Sequence, residues 1–102
     1  MIESSDLQKE IIKVLEDKKA FDVKSFNVSK YGSMYEYVVI ASGSSVRQLS
    51  TFSDALRQNF KEELIGSEGV NGSDWVLVDL NSVIVHLFLP ESRDVYNLED
   101  MF

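Results

Sequence analysis

Two groups of residues in this chain are of types that could do chemistry. Asp79 and His86, the latter the only histidine among 102 residues, fall in two facing apolar stretches and could act as an acid–base pair if they met. Ser42-Gly43-Ser44-Ser45 lies between an apolar run and a helix start, where backbone N–H groups can hold a phosphate. Neither group is complete. The serines lack the glycine-rich loop and lysine of a phosphate-binding loop. Nucleotidyl transfer would need paired carboxylates on a neighbouring strand to hold magnesium. Asp79 stands alone, with Leu77 where the second acid would be. No serine or cysteine nucleophile is identifiable for His86. The plain structural roles are a turn at Gly43, a helix cap at Ser45 and a satisfied sheet histidine at His86. An enzyme using Ser44 and Asp79 is the catalytic alternative. Arg93 fits two roles equally: binding a partner carboxylate, or pinning the C-terminal segment to the domain.

Asp74 to Pro90, DWVLVDLNSVIVHLFLP, must position Asp79 and His86. It reads as two strands, Trp75–Leu80 and Val83–Leu89, joined by Asn81-Ser82. Asn tolerates the left-handed backbone of a tight hairpin turn. A two-residue turn sets Leu80 opposite Val83, Val78 opposite Val85 and Val76 opposite Leu87. Side chains alternate across a strand, so these six aliphatic residues share one face, which needs helices laid over it. The other face carries Trp75, Leu77 and Asp79 opposite Phe88, His86 and Ile84. That face is too polar for ordinary core and too apolar for ordinary surface, the composition of a partner-binding face or a pocket lining. The competing reading is a second layer of the domain with Asp79 and His86 paired at its margin. As a binding face it should leave Trp75 substantially exposed.

The rest of the chain supplies the support. Ser5-Asp6-Leu7-Gln8 has a capping-box pattern, and Leu7, Ile11, Val14 and Leu15 recur at helical spacing, predicting a helix from Asp6 to Lys18. Phe21–Val28 reads as an edge strand. Tyr37–Ala41 is a continuous apolar run, hence a strand buried on both faces or central to its sheet, antiparallel to the first. Ser45-Val46-Arg47-Gln48 repeats the capping pattern. Val46, Leu49, Phe52, Leu56, Phe60 and Leu64 then predict a long helix to Ile65, with Gly66 past its end. Ser67–Ser73 reads as a connection. The strand, helix, strand order implies a right-handed crossover between parallel strands, to which the hairpin adds an antiparallel strand. Glu91–Tyr96 reads as one helical turn and Asn97–Phe102 as a tail. The expected fold is a single α/β (α+β) domain spanning 1–102, a mixed sheet with helices mainly on one face.

Composition narrows the function. The chain has no cysteine and a formal charge of −7, so disulfides and thiolate metal sites are excluded. Direct binding to nucleic acid is disfavoured, since that needs clustered Lys and Arg. A basic protein partner suits the charge better. No stretch has the length or apolarity of a membrane span, and the acidic, charged first twenty residues resemble neither a signal nor a transit peptide. The expectation is a soluble cytoplasmic protein.

VVIASGSSVRQL and EGVNGSDWVLVDLNSVIVHLFLPESRDVYNLEDMF resemble the ribosomal silencing factors, the Iojap-like family. The matching motifs are V-I-A-S-G-S-S-x-R-Q (Val39–Gln48), Glu68-Gly69 followed by W-V-L-V-D (Trp75–Asp79), V-H-x-F-x-P-E-x-R (Val85–Arg93) and Y-N-L-E (Tyr96–Glu99). The pattern departs at Leu80, commonly aromatic, at Asn81-Ser82, commonly Gly-Asp, at Glu36, commonly Asp, and at Phe102, commonly Trp. The resemblance implies a nucleotidyltransferase-like core without catalytic acids and without a cofactor. It implies a translational repressor that binds a basic ribosomal protein on the intersubunit face of the large ribosomal subunit and blocks joining of the small one in starvation or stationary phase. Members of that family occur in bacteria and in organelles, and the lack of a transit-peptide pattern favours a bacterial source. The resemblance places Trp75, Leu77, Asp79, Leu80 and His86 in the contact region, and Phe88 shares the hairpin face. A homodimer through the same apolar face is the remaining alternative.

Overall fold

The sequence periods resolve into three α-helices, one short 3-10 helix (Ser29–Tyr31) and five strands among residues 2–32, 34–69 and 73–96, the residues that the computed structural model describes. Helix α1 is Ser4–Asp17, strand β1 Phe21–Asn27, β2 Tyr37–Ser42, helix α2 Val46–Asn59, β3 Gly66–Glu68, β4 Trp75–Leu80, β5 Val83–Phe88 and α3 Pro90–Tyr96. One sheet runs β1-β2-β5-β4-β3. Strands β2 and β5 are parallel, and every other pairing is antiparallel. The expected tail at Asn97–Phe102 lies outside the described residues, as do Val70–Gly72 of the expected connection.

The hairpin has the predicted register: Leu80 opposite Val83, Val78 opposite Val85, Val76 opposite Leu87. Asn81 takes the left-handed backbone, φ 71°. The crossover differs from the expectation. The parallel neighbour of β2 is β5, not β4. Helix α2 carries the chain across the sheet to its far edge, where β3 begins, and β4 and β5 then return inward to close against β2. Strand β3 lies in the stretch expected to be a connection. Its sequence, Gly-Ser-Glu, has no apolar residue, and only pairing with β4 holds it in the sheet.

Helix α2 starts where predicted, with the Ser45 hydroxyl accepting the Gln48 N–H at 3.1 Å. It ends at Asn59, six residues before the predicted end. Phe60 and Leu64 keep the helical spacing because both still reach the core, although the chain between them has left the helix. Gly66 is therefore not a cap but the first residue of β3. Helix α1 starts at Ser4 with Glu3 at its cap and no side-chain capping bond, so the Ser5–Gln8 box does not form. Gln8 instead accepts the Ser25 hydroxyl of β1 at 2.7 Å. The last strand stops at Phe88, one residue short of the expectation, and Pro90 opens α3 with its fixed φ.

The end of α1 is a Schellman turn with an unusual residue in it. Ala20 N–H bonds the Leu15 carbonyl at 2.9 Å and Lys19 N–H the Glu16 carbonyl at 3.0 Å. Lys19, the position where glycine is favoured, sits at φ 75°. A left-handed non-glycine residue costs about 1 kcal/mol. Lys19→Gly is expected to raise unfolding free energy by roughly 0.5–1 kcal/mol after the loss of a cation near the helix C-terminus. Urea denaturation checks it, and a variant weaker than wild type would show the charge to outweigh the backbone.

The core lies between the helices and one side of the sheet. Leu7, Ile11 and Leu15 of α1 and Leu49, Phe52 and Leu56 of α2 cover Val39, Val76, Val78, Leu80, Val83, Val85 and Leu87, all 1% exposed or less. Gly43 lets α2 approach this closely: a Cβ there would lie 2.9 Å from both Leu49 and Phe52. The opposite side has its own smaller apolar cluster of Val28, Val38, Ile40, Ile84 and Phe88, with Trp75, Leu77, Phe26 and Tyr35 half-buried against it.

Candidate functional site

Alternation along β4 and β5 puts Trp75, Leu77, Asp79, Ile84, His86 and Phe88 on the side of the sheet that α1 and α2 leave uncovered. The register sets Trp75 opposite Phe88, Leu77 opposite His86 and Asp79 opposite Ile84. Asp79 and His86 are thus diagonal neighbours, and each has another partner. The Asp79 carboxylate accepts the Tyr35 hydroxyl at 2.7 Å and the Asn81 backbone N–H at 3.0 Å. The Tyr35 hydroxyl is pushed up to about 12, by burial first and then by the bonded carboxylate beside it, and so remains a donor. Asp79 is a strand-end clamp that holds both the hairpin turn and the loop ahead of β2.

His86 belongs to an aromatic group. Its Nδ1 accepts the Trp75 indole N–H at 3.1 Å, so the neutral ring carries its proton on Nε2. The Trp75 and Phe88 rings stack at 5.1 Å, and His86 stacks on Phe88 at 6.2 Å. Trp75, expected to be substantially exposed, is half-buried, because Phe88 lies under it and His86 holds its N–H. Phe88 itself is 0% exposed. Leu80 is also fully buried, on the helix side with the other five aliphatic residues. Of the six residues singled out from the sequence, Trp75, Leu77, Asp79 and His86 reach the surface of this face, and Phe88 supports them from beneath.

Burial lowers the His86 pKa to about 4. The unfolded chain takes up a proton here from about pH 6.5 downward, whereas the folded chain holds the ring neutral to about pH 4. Proton binding therefore favours the unfolded state in that window, and stability falls as pH falls. The expected loss between pH 7 and pH 5 is about 2 kcal/mol. Urea unfolding at the two pH values measures it, and His86→Gln, which accepts from Trp75 without titrating, should flatten that part of the profile. An unchanged slope in His86→Gln would assign it to other groups.

The serine-rich turn is remote from Asp79. Asp79 lies opposite Ile84, which pairs with Val38, whereas Phe88 pairs with Ser42 at the other end of β2. Four residues of strand, roughly 13 Å, separate the two levels, and Ser44 lies farther on. Ser44 donates its N–H and hydroxyl to the Gln48 side chain at 2.6 and 2.9 Å. Among the described residues no group of three or more His, Asp and Glu side chains is placed to share a metal ion, and no helix is long and apolar enough to cross a membrane. Arg93 takes the second of its two expected roles. It is 8% exposed, and one guanidinium nitrogen donates to the Asp22 carbonyl and the Ser42 hydroxyl, both at 2.7 Å. Asp22 has φ 49° within a register shift of β1, which places that carbonyl against α3.

Sequence reasoning missed Glu68 and Gly69 as parts of this face. Strand β3 sets Glu68 opposite Leu77. Glu68, Gly69, Trp75 and Leu77 line a cleft of about 280 Å³. The Glu68-Gly69 motif was the one signal for them.

Comparisons with known proteins agree along the whole chain. Residues 1–102 match the family described as "Ribosomal silencing factor during starvation". The chain is similar to the ribosomal silencing factor RsfS of Chromobacterium violaceum, 35% identical over 99% of this chain and 85% of that protein. A crystal structure of a protein from the same organism superposes with TM-score 0.93 at 35% identity, covering 98% of this chain and 86% of that one. The mouse protein named "Mitochondrial assembly of ribosomal large subunit protein 1" is 31% identical over 90% of this chain, which spans 43% of its length.

Proposed function

The chain belongs to the ribosomal silencing factor family, and from that premise we propose that it is a non-catalytic, cytoplasmic repressor of translation. It binds a basic ribosomal protein on the intersubunit face of the large subunit and so blocks joining of the small subunit. The observation that carries this reading is the asymmetry of the hairpin. Its helix side is closed by α1 and α2, while its other side presents Trp75, Leu77, Asp79 and His86 on a fixed sheet. A half-buried aromatic centre with a polar rim is the composition of a protein-binding face. The charge of −7 favours a basic partner, and the name of the mouse relative favours the large subunit.

The test is sedimentation with separated ribosomal subunits. Wild-type protein is expected to travel with large subunits and to reduce their joining with small ones. Trp75→Ala is expected to lose at least about thirty-fold in affinity, the value of a central aromatic anchor. Its folding cost should be about 2 kcal/mol, below that of a fully buried tryptophan. Normal pelleting by folded Trp75→Ala would remove this face from the interface. Failure of wild type to pellet, together with magnesium-dependent nucleotide binding or with dimerisation in a concentration series, would replace the reading altogether.

A further inference from the structure

We propose that the cleft beside Trp75 receives one arginine side chain of the docking partner, its guanidinium stacked on the indole and its N–H groups on the Glu68 carboxylate. This rests on the proposed function for the identity of the partner but adds the chemistry by which that partner is read. The register of β3 against β4 puts Glu68 on the same face as Leu77, with Trp75 two residues along. Among the described residues these three and Gly69 line one cleft of about 280 Å³.

Each wall suits a different part of an arginine. Indole is the best aromatic face for a cation, and arginine is the cation most often found there. Leu77 offers an apolar surface to the methylene stem. Glu68 is exposed at the rim and offers two acceptor oxygens to the planar fork. The indole is fixed before binding by its N–H bond to His86 and its stacking on Phe88, so little order is lost on docking. His86 is neutral and sets no opposing charge beside the site. An apolar side chain would desolvate Glu68 without return, and an acidic one would face both Glu68 and a chain of charge −7.

Trp75 is the only tryptophan in the chain, so tryptophan fluorescence, excited selectively over the four tyrosines, reports from the wall of this cleft. The whole protein would be titrated with acetyl-Gly-Arg-Gly-amide and with its lysine and citrulline counterparts. The arginine peptide is expected to give a saturable change, lysine a weaker one and uncharged citrulline none. Glu68→Gln should weaken the arginine peptide and the large subunit about tenfold each. Glu68→Lys should weaken both further, with urea midpoints unchanged. Equal responses to arginine and citrulline, or wild-type subunit binding by Glu68→Lys, would overturn the cleft assignment while leaving the ribosomal reading intact. An arginine-selective, Glu68-dependent titration by a protein that ignores large subunits would do the reverse.

Discussion

Val78→Asp is expected to remove most of the folding stability of this protein. Val78 is 0% exposed and lies opposite Val85 beneath both long helices. A carboxylate there finds neither water nor a partner, and such burial costs several kcal/mol, against a typical total margin of about 5–15 kcal/mol. Urea unfolding should show a loss of about 4 kcal/mol or more, or no folded protein at all. The neighbouring change Leu77→Asp, one residue along and on the open face, should cost only about 1 kcal/mol. Similar losses in the two variants would refute the division of the hairpin into a closed and an open side.

That division was legible in the sequence because the hairpin is local. A two-residue turn and strict alternation fix register and face together, with no knowledge of the rest of the chain. What was not legible depended on distant partners. Strand β3 has no apolar residue to announce it, and it is a strand only because β4 lies beside it. The end of α2 was hidden because Phe60 and Leu64 serve the core from a turn as well as they would from a helix. The destination of the crossover was misassigned because the order strand, helix, strand says nothing about how many places the helix crosses. Composition marked the open face as different from the helix side, and the structure gives it its own smaller apolar cluster. How deeply Trp75 sits in it depends on Phe88 and His86 across the hairpin, and hydrophobicity patterns do not encode ring stacking.

Gly69→Ala is the second variant expected to have a large effect. Gly69 has φ 75°, and a Cβ there would lie 2.4 Å from the Trp75 carbonyl oxygen and 3.1 Å from the Ser73 hydroxyl. The carbonyl cannot step aside easily, because it accepts the Ser73 hydroxyl at 2.8 Å at the start of β4. Left-handed strain contributes about 1 kcal/mol. Displacing backbone should bring the total to about 3 kcal/mol. Gly32→Ala is the control: its φ is 73°, but nothing lies within 4 Å of the added carbon. It should lose only about 1 kcal/mol, so the difference between the two isolates the collision. Gly69→Ala should also shift the emission of Trp75, and equal losses at both glycines would show that the start of β4 yields without resistance.

The position of β5 governs when the protein can exist at all. Among the described residues it is the last strand, yet it fills the middle of the sheet, between β2 and β4. Until it arrives, β2 and β4 have no shared neighbour, and the apolar sides of α1 and α2 have half a platform to rest on. A growing polypeptide must therefore be synthesised almost to Phe88 and clear the ribosome's exit tunnel before the sheet can close, since long-range pairing cannot be anticipated by local structure. Folding of the sheet is in this sense a single event that waits for Val83–Phe88. An interrupted message yields no partly working fragment, because every piece ending before Val83 lacks the strand around which the others assemble.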